Sequence, residues 1–342
     1  MDFCALHSRY CRCDSQSLTS FLIPICEKKT VNLISGFLGA GKTTMVNQIL
    51  QQPTNKRIDI LVREYGSVSI DDRLLKVEKK RIHSFSGVSF HETRESMLGH
   101  YLESLYDRAE RHPFDHLLIE SSGAENAERL LRVFLQPRLR DMYRVGSFIT
   151  VVDAEYGLLN LREFSVAREQ AVYADVIIIN KMDLVSEDQA AALQEALRQL
   201  NPCAIMIRTA FGSVSLDKIA DVSLFRQLTE MNSKQKNRDG VMNEFQSVSV
   251  ELDEPLDREK TDAWLSSLFE RYGGNLLRGK GLFHIHGSDY RFEFQSVRES
   301  FHARTEELWG REPRRTSIVL IGTNVPSYQT LYQELKACIA EY

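Results

Sequence analysis

Hydrophobic and polar positions along the first two thirds of the chain form blocks that favour strands separated by helices. An apolar run, VNLIS at 31–35, leads into a glycine-rich turn, and helix-forming residues follow as far as Pro53. Later β-type runs are separated by helical stretches such as 93–111 and 124–135, and they read IDILVREYG, HLLIESSG, SFITVVDA and DVIIINKMD. This order predicts an α/β domain with a doubly wound, mainly parallel sheet, whose ligands bind at the carboxyl ends of the strands.

The composition changes at 230–244, a polar and charged stretch that contains the turn-forming pair Asp239-Gly240. We expect four parts: a tail over 1–29, the α/β domain over 30–229, a linker over 230–244 and a smaller α+β domain over 245–342. In the last part the pattern predicts strands at FQSVSVELD, LLRGKGLFHIHG, YRFEFQSV and TSIVLIG, and helices over 257–272, 297–309 and 328–341.

The composition of the 342 residues is ordinary for a globular protein, with 43% hydrophobic residues and a formal net charge of −4. No apolar run reaches the roughly 18 residues of a membrane span, and the start of the chain lacks the apolar core of a secretory signal. The basic cluster at 76–81 is interrupted by Glu78, which favours a solvated strand edge. We therefore expect a cytoplasmic protein with neither nucleic acid nor membrane as its partner.

A phosphate-binding loop is predicted between the first strand and the first helix. The sequence GFLGAGKT at 36–43 matches the pattern GxxxxGK[ST] in the strand–turn–helix context that this pattern requires. Lys42 is expected to reach the β and γ phosphates, and the Thr43 hydroxyl to bind Mg²⁺. The alternative is a tight glycine turn without a ligand. The predicted phosphate-binding residues are Gly36, Gly39, Ala40, Gly41, Lys42, Thr43 and Thr44.

A base-binding site is predicted where the apolar strand before Asn180-Lys181-Met182-Asp183 ends. A carboxylate that accepts hydrogen bonds from the N1–H and the 2-amino group of guanine would be left buried and unpaired by adenine. Asp183 is therefore predicted to select guanine, with Thr209-Ala210 completing the pocket. Alternatively, the segment is a capping turn whose cap is Asp183 or Ser186.

Acidic residues follow two other predicted strands near the phosphates. Glu64 lies in the sequence REYG, which Asp71-Asp72 soon follow, and Glu120 opens the sequence ESSG. Such groups hold Mg²⁺ through water or orient an attacking water, and the N–H of Gly123 is able to sense the γ phosphate. For Glu120, the alternative is that it caps the helix predicted from Glu125. Spacing alone identifies no hydrolytic Gln or Arg.

Together these segments resemble the CobW-like GTPases, a P-loop family of metallochaperones and metal-centre activators related to those that serve urease and hydrogenase. The resemblance runs from about 31 to 322 and includes GFLGAGKTT, EYGSVSIDDRLL, ESSGAENAERLL, EQAVYADVIIINKMDLV and the later RGKG, FQSV and SIVLIG. It implies a P-loop NTPase domain with GTP, Mg²⁺ and a metal cargo. It also implies that Asn180, Lys181 and Asp183 bind guanine.

The same resemblance assigns roles around the phosphates. It implies that 39–44 bind the phosphates and that Glu64 and Glu120 belong to the switch regions. From their positions beside the phosphates we expect Glu64 to approach Mg²⁺, and Lys42 and Glu120 to act in hydrolysis.

The chain departs from this family at its metal site. The family usually carries an Asn-Gly-Cys-x-Cys-Cys segment after the first switch, whereas this chain has Ser-Gly-Val-Ser-Phe-His at 86–91. Arg63 stands where an Asn is expected, and Ser67 where a second acidic residue is expected. His91, His83 and Glu92 are too poor a set for tetrahedral zinc, so no metal is assigned there.

Other soft ligands lie elsewhere in the chain. Three of the six cysteines fall within the first thirteen residues, a distribution that does not resemble a disulfide framework. They offer, with His7, a set suited to zinc or copper(I): Cys4, His7, Cys11 and Cys13. The alternative is a disordered tail with reduced cysteines. His284 and His286 are expected on one strand face, either as joint ligands or as a surface pair.

Two functions of different classes follow. The first is a GTPase that couples its nucleotide state to metal-cofactor delivery or to maturation of a client metalloenzyme, with GTP, GDP and that client as partners. The second is a GTP-dependent interaction switch or scaffold without metal handling, favoured by the missing Cys-x-Cys-Cys. An ATP-using P-loop enzyme is a third reading, and self-assembly into a homo-oligomer stays open.

Overall fold

A seven-stranded parallel sheet forms the first domain, in the order β3-β2-β4-β1-β5-β6-β7. The computed structural model describes residues 28–63, 82–85, 94–109, 111–220, 222, 240–242, 245–298, 300–310 and 313–341. The strands are β1 (Lys29–Ser35), β2 (Ile58–Arg63), β3 (Ile82–Phe85), β4 (His116–Glu120), β5 (Tyr143–Asp153), β6 (Val176–Asn180) and β7 (Ile205–Arg208). The predicted doubly wound parallel sheet is confirmed.

Helices cover both faces of this sheet. They are α1 (Lys42–Leu50), α2 (Arg94–Arg108), α3 (Ala127–Leu135), α4 (Pro137–Met142), α5 (Gly157–Glu163), α6 (Ser165–Tyr173), α7 (Glu187–Leu200) and α8 (Leu216–Ile219). One apolar cluster joins the sheet to α2, α3, α6 and α7, and a second joins the other face to α1 and α8. Because both faces are buried, the central strands are mainly apolar, as the VNLIS and DVIII runs indicate.

The second domain is a six-stranded antiparallel sheet in the order β12-β11-β10-β13-β9-β8. Its strands are β8 (Gly240–Met242), β9 (Phe245–Leu252), β10 (Leu276–Phe283), β11 (Tyr290–Val297), β12 (Ser300–Leu308) and β13 (Thr316–Gly322), and its helices are α9 (Arg258–Tyr272) and α10 (Tyr328–Ala337). Asp257 caps α9 through the N–H of Lys260, as predicted. β8 falls inside the stretch predicted as a linker. The predicted α+β class is confirmed.

The helix predicted over 297–309 is wrong. Most of this segment is β12, which pairs antiparallel with β11 along nearly its whole length. Glu and Arg give the segment some local preference for a helix, but such preferences amount to only a few tenths of a kcal/mol per residue. The backbone hydrogen bonds offered by the edge of β11 outweigh them.

The RGKG sequence in β10 places the second sheet against the first domain. Leu282, two residues beyond Lys280 on the same strand face, belongs to the apolar cluster of the first domain, whereas Phe283 packs with α9 and α10. On this second face a Cβ at Gly279 or Gly281 would lie 2.9 Å from a ring carbon of Phe294 or Phe283. The glycines therefore leave room for aromatic rings on one face, and the other face carries two cations into the domain interface.

A buried ionic cluster lies in that interface. Asp175, which immediately precedes β6, accepts hydrogen bonds from Arg278 and Lys280, and Arg278 also donates to the carbonyl of Tyr173. Burial opposes ionisation of Asp175, but the charges of Arg278 and Lys280 hold the pKa of its carboxyl below the ordinary value. Burial lowers the pKa of the Lys280 ammonium to about 8, against the attraction of Asp175. Two cations and one carboxylate thus join the domains.

A second ion pair connects the two domains. Arg298, at the turn between β11 and β12, donates from Nε to Glu128 of α3 at 2.9 Å. Glu128 lies in the first turn of that helix, just after the segment that follows β4.

Among the described helices, none combines the length and the apolar character that crossing a membrane requires.

Candidate nucleotide-binding site

The glycine-rich loop has the backbone that its sequence demands. Gly36, Gly39 and Gly41 have φ angles of 141°, 76° and 97°, which L side chains rarely adopt. A Cβ at Gly36 would collide with the carbonyl of Val151, and one at Gly41 with the side-chain amide of Asn180. The loop is therefore packed tightly between β5 and the end of β6, and α1 begins directly after it at Lys42.

Lys42 and Thr43 place a cation and a hydroxyl at the start of α1. The Lys42 side chain is buried and donates from Nζ to the carbonyl of Gly36 at 2.8 Å. Thr43 donates from Oγ1 to Oε1 of Glu120 at 2.6 Å. Hydroxyl and carboxylate oxygens are ligands suited to Mg²⁺, so these two side chains fit that ion. Thr44 lies in the same first turn.

Glu120 is the last residue of β4 and is 2% exposed. In the sheet it lies beside Ile34 of β1 and Val62 of β2, which places its carboxylate at the carboxyl edge next to the phosphate loop. The helix that follows begins at Ala127, and Asn126 caps it by accepting from the N–H of Arg129. Glu120 therefore does not cap that helix.

The segment after Glu120 packs directly on the phosphate loop. A Cβ at Gly123 would lie 2.9 Å from Cα of Leu38, so only glycine allows this approach. The buried Gln170 of α6 donates to the carbonyls of Gly123 and Glu125 at 3.1 and 3.2 Å. Glu125 in turn forms a buried ion pair with Arg63, the last residue of β2.

The sequence did not single out Gln170 or the Arg63–Glu125 pair. Only the order of the strands brings these residues together, so no local pattern signals them. Glu64, predicted to approach Mg²⁺, lies outside the described residues, as do Asp71 and Asp72.

Asn180 connects the two motifs that are predicted to bind nucleotide. Its side chain is 2% exposed, donates to the carbonyl of Ala40 at 3.0 Å and accepts from the N–H of Gly212 at 2.9 Å. The neighbouring Lys181 has a left-handed backbone with φ of 63° and donates from Nζ to Asp153 at 2.6 Å. Asn180 thus fixes the phosphate loop and the loop after β7 relative to each other.

Asp183 lies in a short 3-10 turn over Met182–Leu184 and is exposed. The cap of the following helix α7 is Ser186, which forms a reciprocal capping box with Gln189. The capping function that the sequence left open therefore belongs to Ser186. Asp183 stays available at the carboxyl edge of the sheet, where the guanine-selecting function was predicted.

The loop at 209–213 completes this edge. Thr209 donates its N–H to the carbonyl of Ile179 at 2.8 Å and accepts from the N–H of Met182 at 3.1 Å. A Cβ at Gly212 would lie 2.7 Å from Cα of Met45 in α1, so the loop also contacts the helix that follows the phosphate loop. The predicted Thr209-Ala210 segment thus lies beside the Asn180 motif.

The described residues contain no group of three or more His, Cys, Asp or Glu that could hold a metal. Cys4, His7, Cys11, Cys13, His91 and Glu92 lie outside them. His83 of β3 contacts Asp59 of β2, with 3.0 Å between Nε2 and Oδ2. β10 ends at Phe283, so His284 and His286 follow the strand. His284 packs against Trp309 with 6.0 Å between ring centroids, and His286 is exposed.

Two family models match the two domains. Residues 30–208 match the CobW/HypB/UreG nucleotide-binding domain, and residues 245–339 match the cobalamin synthesis protein cobW C-terminal domain. The chain belongs to the CobW family.

Several relatives resemble this chain over most of its length. It is 30% identical over 317 residues to the zinc chaperone YjiA of Escherichia coli (strain K12), covering 91% of this chain and 97% of that protein. It is 26% identical to the zinc chaperone CobW of a Sinorhizobium species, covering 86% and 93%. The crystal structure of zinc-bound YjiA GTPase from E. coli matches with a TM-score of 0.62 and 26% identity, covering 92% of this chain and 100% of that one.

Proposed function

We propose that this CobW-family chain is a GTPase that couples GTP binding and hydrolysis to the delivery of a metal cofactor or the maturation of a client metalloenzyme. The observation that carries the proposal is the pair of hydrogen bonds by which Asn180 contacts both Ala40 and Gly212. Through them the phosphate loop and the segment carrying Asp183 form one continuous edge of the sheet. A cytoplasmic location is part of the same proposal, because GTP and reduced thiols coexist there.

The residues at that edge divide the binding task between them. The backbone N–H groups of 39–44 and the N-terminus of α1 would hold the phosphates, since the amides and the helix dipole are oriented toward negative charge. Lys42, now donating to the Gly36 carbonyl, would donate to the β and γ phosphates instead. Lys181 is fixed by Asp153, and Asp183 would accept from the guanine edge.

Hydrolysis needs a water positioned in line with the γ phosphate and stabilisation of the charge that develops on the phosphate oxygens. The Mg²⁺ ion held at Thr43 would supply part of that stabilisation. Glu120 accepts a hydrogen bond from this hydroxyl, and we assign it the role of orienting the water shell there. Water attacks the γ phosphorus, and the bond to the β–γ bridging oxygen breaks to give GDP and inorganic phosphate.

The contacts between the domains suggest how the nucleotide state would reach the second domain. The segment after Glu120 lies against the phosphate loop through Gly123, and it leads into α3, where Glu128 pairs with Arg298 of the second domain. A movement of this segment on loss of the γ phosphate would therefore be transmitted to the β11–β12 turn.

Zinc is the first cargo to test, because relatives of this chain are named zinc chaperones. Cys4, His7, Cys11 and Cys13 are the ligands we propose for it, since thiolate and imidazole suit zinc. The full chain should be purified and its metal content measured, and its GTPase rate compared with zinc, cobalt, nickel and iron. The Cys11→Ser/Cys13→Ser variant should lose the metal while Lys42→Ala should keep it and lose GTP.

The competing function is a GTP-dependent protein-interaction switch without metal handling. The observation that favours it is the sequence at 86–91, where Ser-Gly-Val-Ser-Phe-His replaces the family's Cys-x-Cys-Cys segment. A chain that binds no transition metal at micromolar concentration, and whose GTPase rate ignores all four ions, would leave this function in place of the first. Equal affinities for ATP and GTP would contradict both.

A further inference from the structure

Phe211 is a large apolar side chain in an unfavourable setting. It is 68% exposed, and its backbone has a left-handed φ of 56°. Exposure forgoes the burial that normally stabilises an aromatic ring, and the left-handed region is strained for a residue with a bulky side chain. Strain of this kind concentrates at ligand sites, where the surrounding structure enforces it.

The surrounding structure enforces it here. On one side of Phe211, Thr209 exchanges backbone hydrogen bonds with Ile179 and Met182. On the other side, Gly212 donates to Asn180 and approaches Met45 of α1 too closely for any side chain. Both neighbours are held by the nucleotide-binding motifs, so the position of Phe211 is fixed by the same contacts that form the site.

A second exposed apolar side chain belongs to the facing segment. Leu184, directly after Asp183 in the 3-10 turn, is 56% exposed. Of the three non-glycine residues with positive φ in the described part of the chain, two are Lys181 and Phe211. Exposed apolar groups and strained backbone therefore coincide at the two segments that surround the predicted base site.

We propose that Phe211 is the base-stacking residue of this site and covers one face of the guanine ring. This inference rests on the guanine site proposed above and assigns different contributions to two of its residues. Asp183 discriminates between bases through the hydrogen-bonding edge, whereas Phe211 contributes affinity through the π face, which every base has. Phe211 therefore raises the affinity for GTP, GDP and inosine nucleotides alike.

Equilibrium binding of GDP by calorimetry tests this assignment in the full chain. Stacking of a base on an aromatic side chain is lost on substitution by alanine, and Phe211→Ala is expected to weaken GDP binding roughly 5- to 100-fold. Phe211→Tyr keeps the ring and should bind within about threefold of the wild type. Tyr290→Ala removes an aromatic residue that is 49% exposed in the second domain, and it should leave GDP affinity unchanged.

A ligand without a base separates stacking from support of the loop. Ribose 5-triphosphate should bind Phe211→Ala and the wild type equally, because it presents phosphates and no π face. If Phe211→Ala binds GDP and ribose 5-triphosphate more weakly by the same factor, the stacking role is overturned. An unchanged GDP affinity in this variant would also overturn it. A wild-type chain that binds neither GTP nor GDP would instead refute the proposed GTPase function itself.

A spectroscopic signature gives an independent readout. The two native tryptophans, Trp264 and Trp309, are buried in the second domain, so Phe211→Trp adds a reporter at the site. Stacking on guanine should quench its emission as GDP saturates the protein, and Tyr290→Trp should show no such quenching. Saturable GDP binding without quenching at position 211 would also overturn the assignment.

Discussion

The side-chain amide of Asn180 donates a 3.0 Å hydrogen bond to the backbone carbonyl of Ala40, which lies 140 positions earlier in the chain. The carbonyl oxygen of the same amide accepts from Gly212. Asn180, a residue of the predicted base motif, therefore fixes the position of the phosphate loop. Both polar atoms of its side chain form hydrogen bonds within the protein. The affinity for the phosphates and the affinity for the base should consequently be linked through this one side chain.

Asn180→Ala is expected to weaken GTP and GDP binding together, by about tenfold or more, because the phosphate loop and the loop at 209–213 lose the side chain that hydrogen-bonds to both. Leaving the buried groups of Ala40 and Gly212 without this partner should also lower the free energy of unfolding by about 1–3 kcal/mol. Calorimetric titration and urea unfolding measure the two effects. Asn201→Ala is the control, since Asn201 donates to three buried carbonyls remote from the site, at 2.9–3.0 Å. It should lose stability without a specific loss of nucleotide affinity.

The Thr43–Glu120 contact predicts a split between binding and turnover. Thr43→Val removes the hydroxyl, and we expect it to abolish the Mg²⁺ dependence of GTP affinity while Thr43→Ser retains it. Glu120→Gln keeps the shape and a hydrogen-bonding oxygen but removes the charge. It should lower kcat about 10- to 100-fold with little effect on GDP affinity. Phosphate release over time measures kcat, and calorimetric titration with a non-hydrolysable GTP analogue at several Mg²⁺ concentrations measures the affinity. An unchanged kcat in Glu120→Gln would refute the role of Glu120 in hydrolysis.

Local sequence patterns predict the motifs of this site but not the contacts between them. The phosphate loop is recognisable because its glycines, lysine and threonine act within eight consecutive residues. Gln170 and the Arg63–Glu125 pair gain their positions from the packing of α6 and the order of β2 and β4, which no short pattern encodes. The same limit explains β12, where pairing with β11 overrides a weak local preference for a helix. Hydrophobic periodicity, by contrast, reflects burial directly, and it predicts five strands of the first sheet and four of the second.

Asp183→Asn is expected to change base preference rather than abolish binding. The carboxylate can accept from two donors of guanine, whereas an amide offers one acceptor and one donor. Xanthine has an oxygen in place of the 2-amino group, so the variant should gain affinity for XTP. It should lose about 100-fold for GTP. Competition between GTP, XTP and ATP measures the change, and the exposed Asp188 of α7 offers a matched control variant, Asp188→Asn. Unaltered discrimination between GTP and ATP in Asp183→Asn would exclude Asp183 as the selector.

In the ionic cluster at the domain interface, we expect replacement of the carboxylate and replacement of one cation to change the free energy of unfolding in different directions. Asp175→Asn leaves Arg278 and Lys280 buried without their shared carboxylate, and it should destabilise the protein by about 3–5 kcal/mol. Lys280→Met leaves Asp175 paired with Arg278 and with the N–H of Phe148 at 2.6 Å. It should therefore be neutral or stabilising. Urea unfolding of the two variants, monitored by the second-domain tryptophans, compares them directly.

The pH dependence of the stability difference between Lys280→Met and the wild type tests whether the buried Lys280 ammonium causes that difference. The pKa of Lys280 falls from an ordinary 10.5 to about 8 on folding, because burial disfavours the ammonium. Between these two values the unfolded chain binds more protons than the folded one, so stability from this group rises with pH through that window. The slope is at most about 1.4 kcal/mol per pH unit. The advantage of Lys280→Met over the wild type should therefore be largest below pH 8 and shrink as the pH approaches 10.5. An advantage that is constant with pH would mean that Lys280 is not the titrating group.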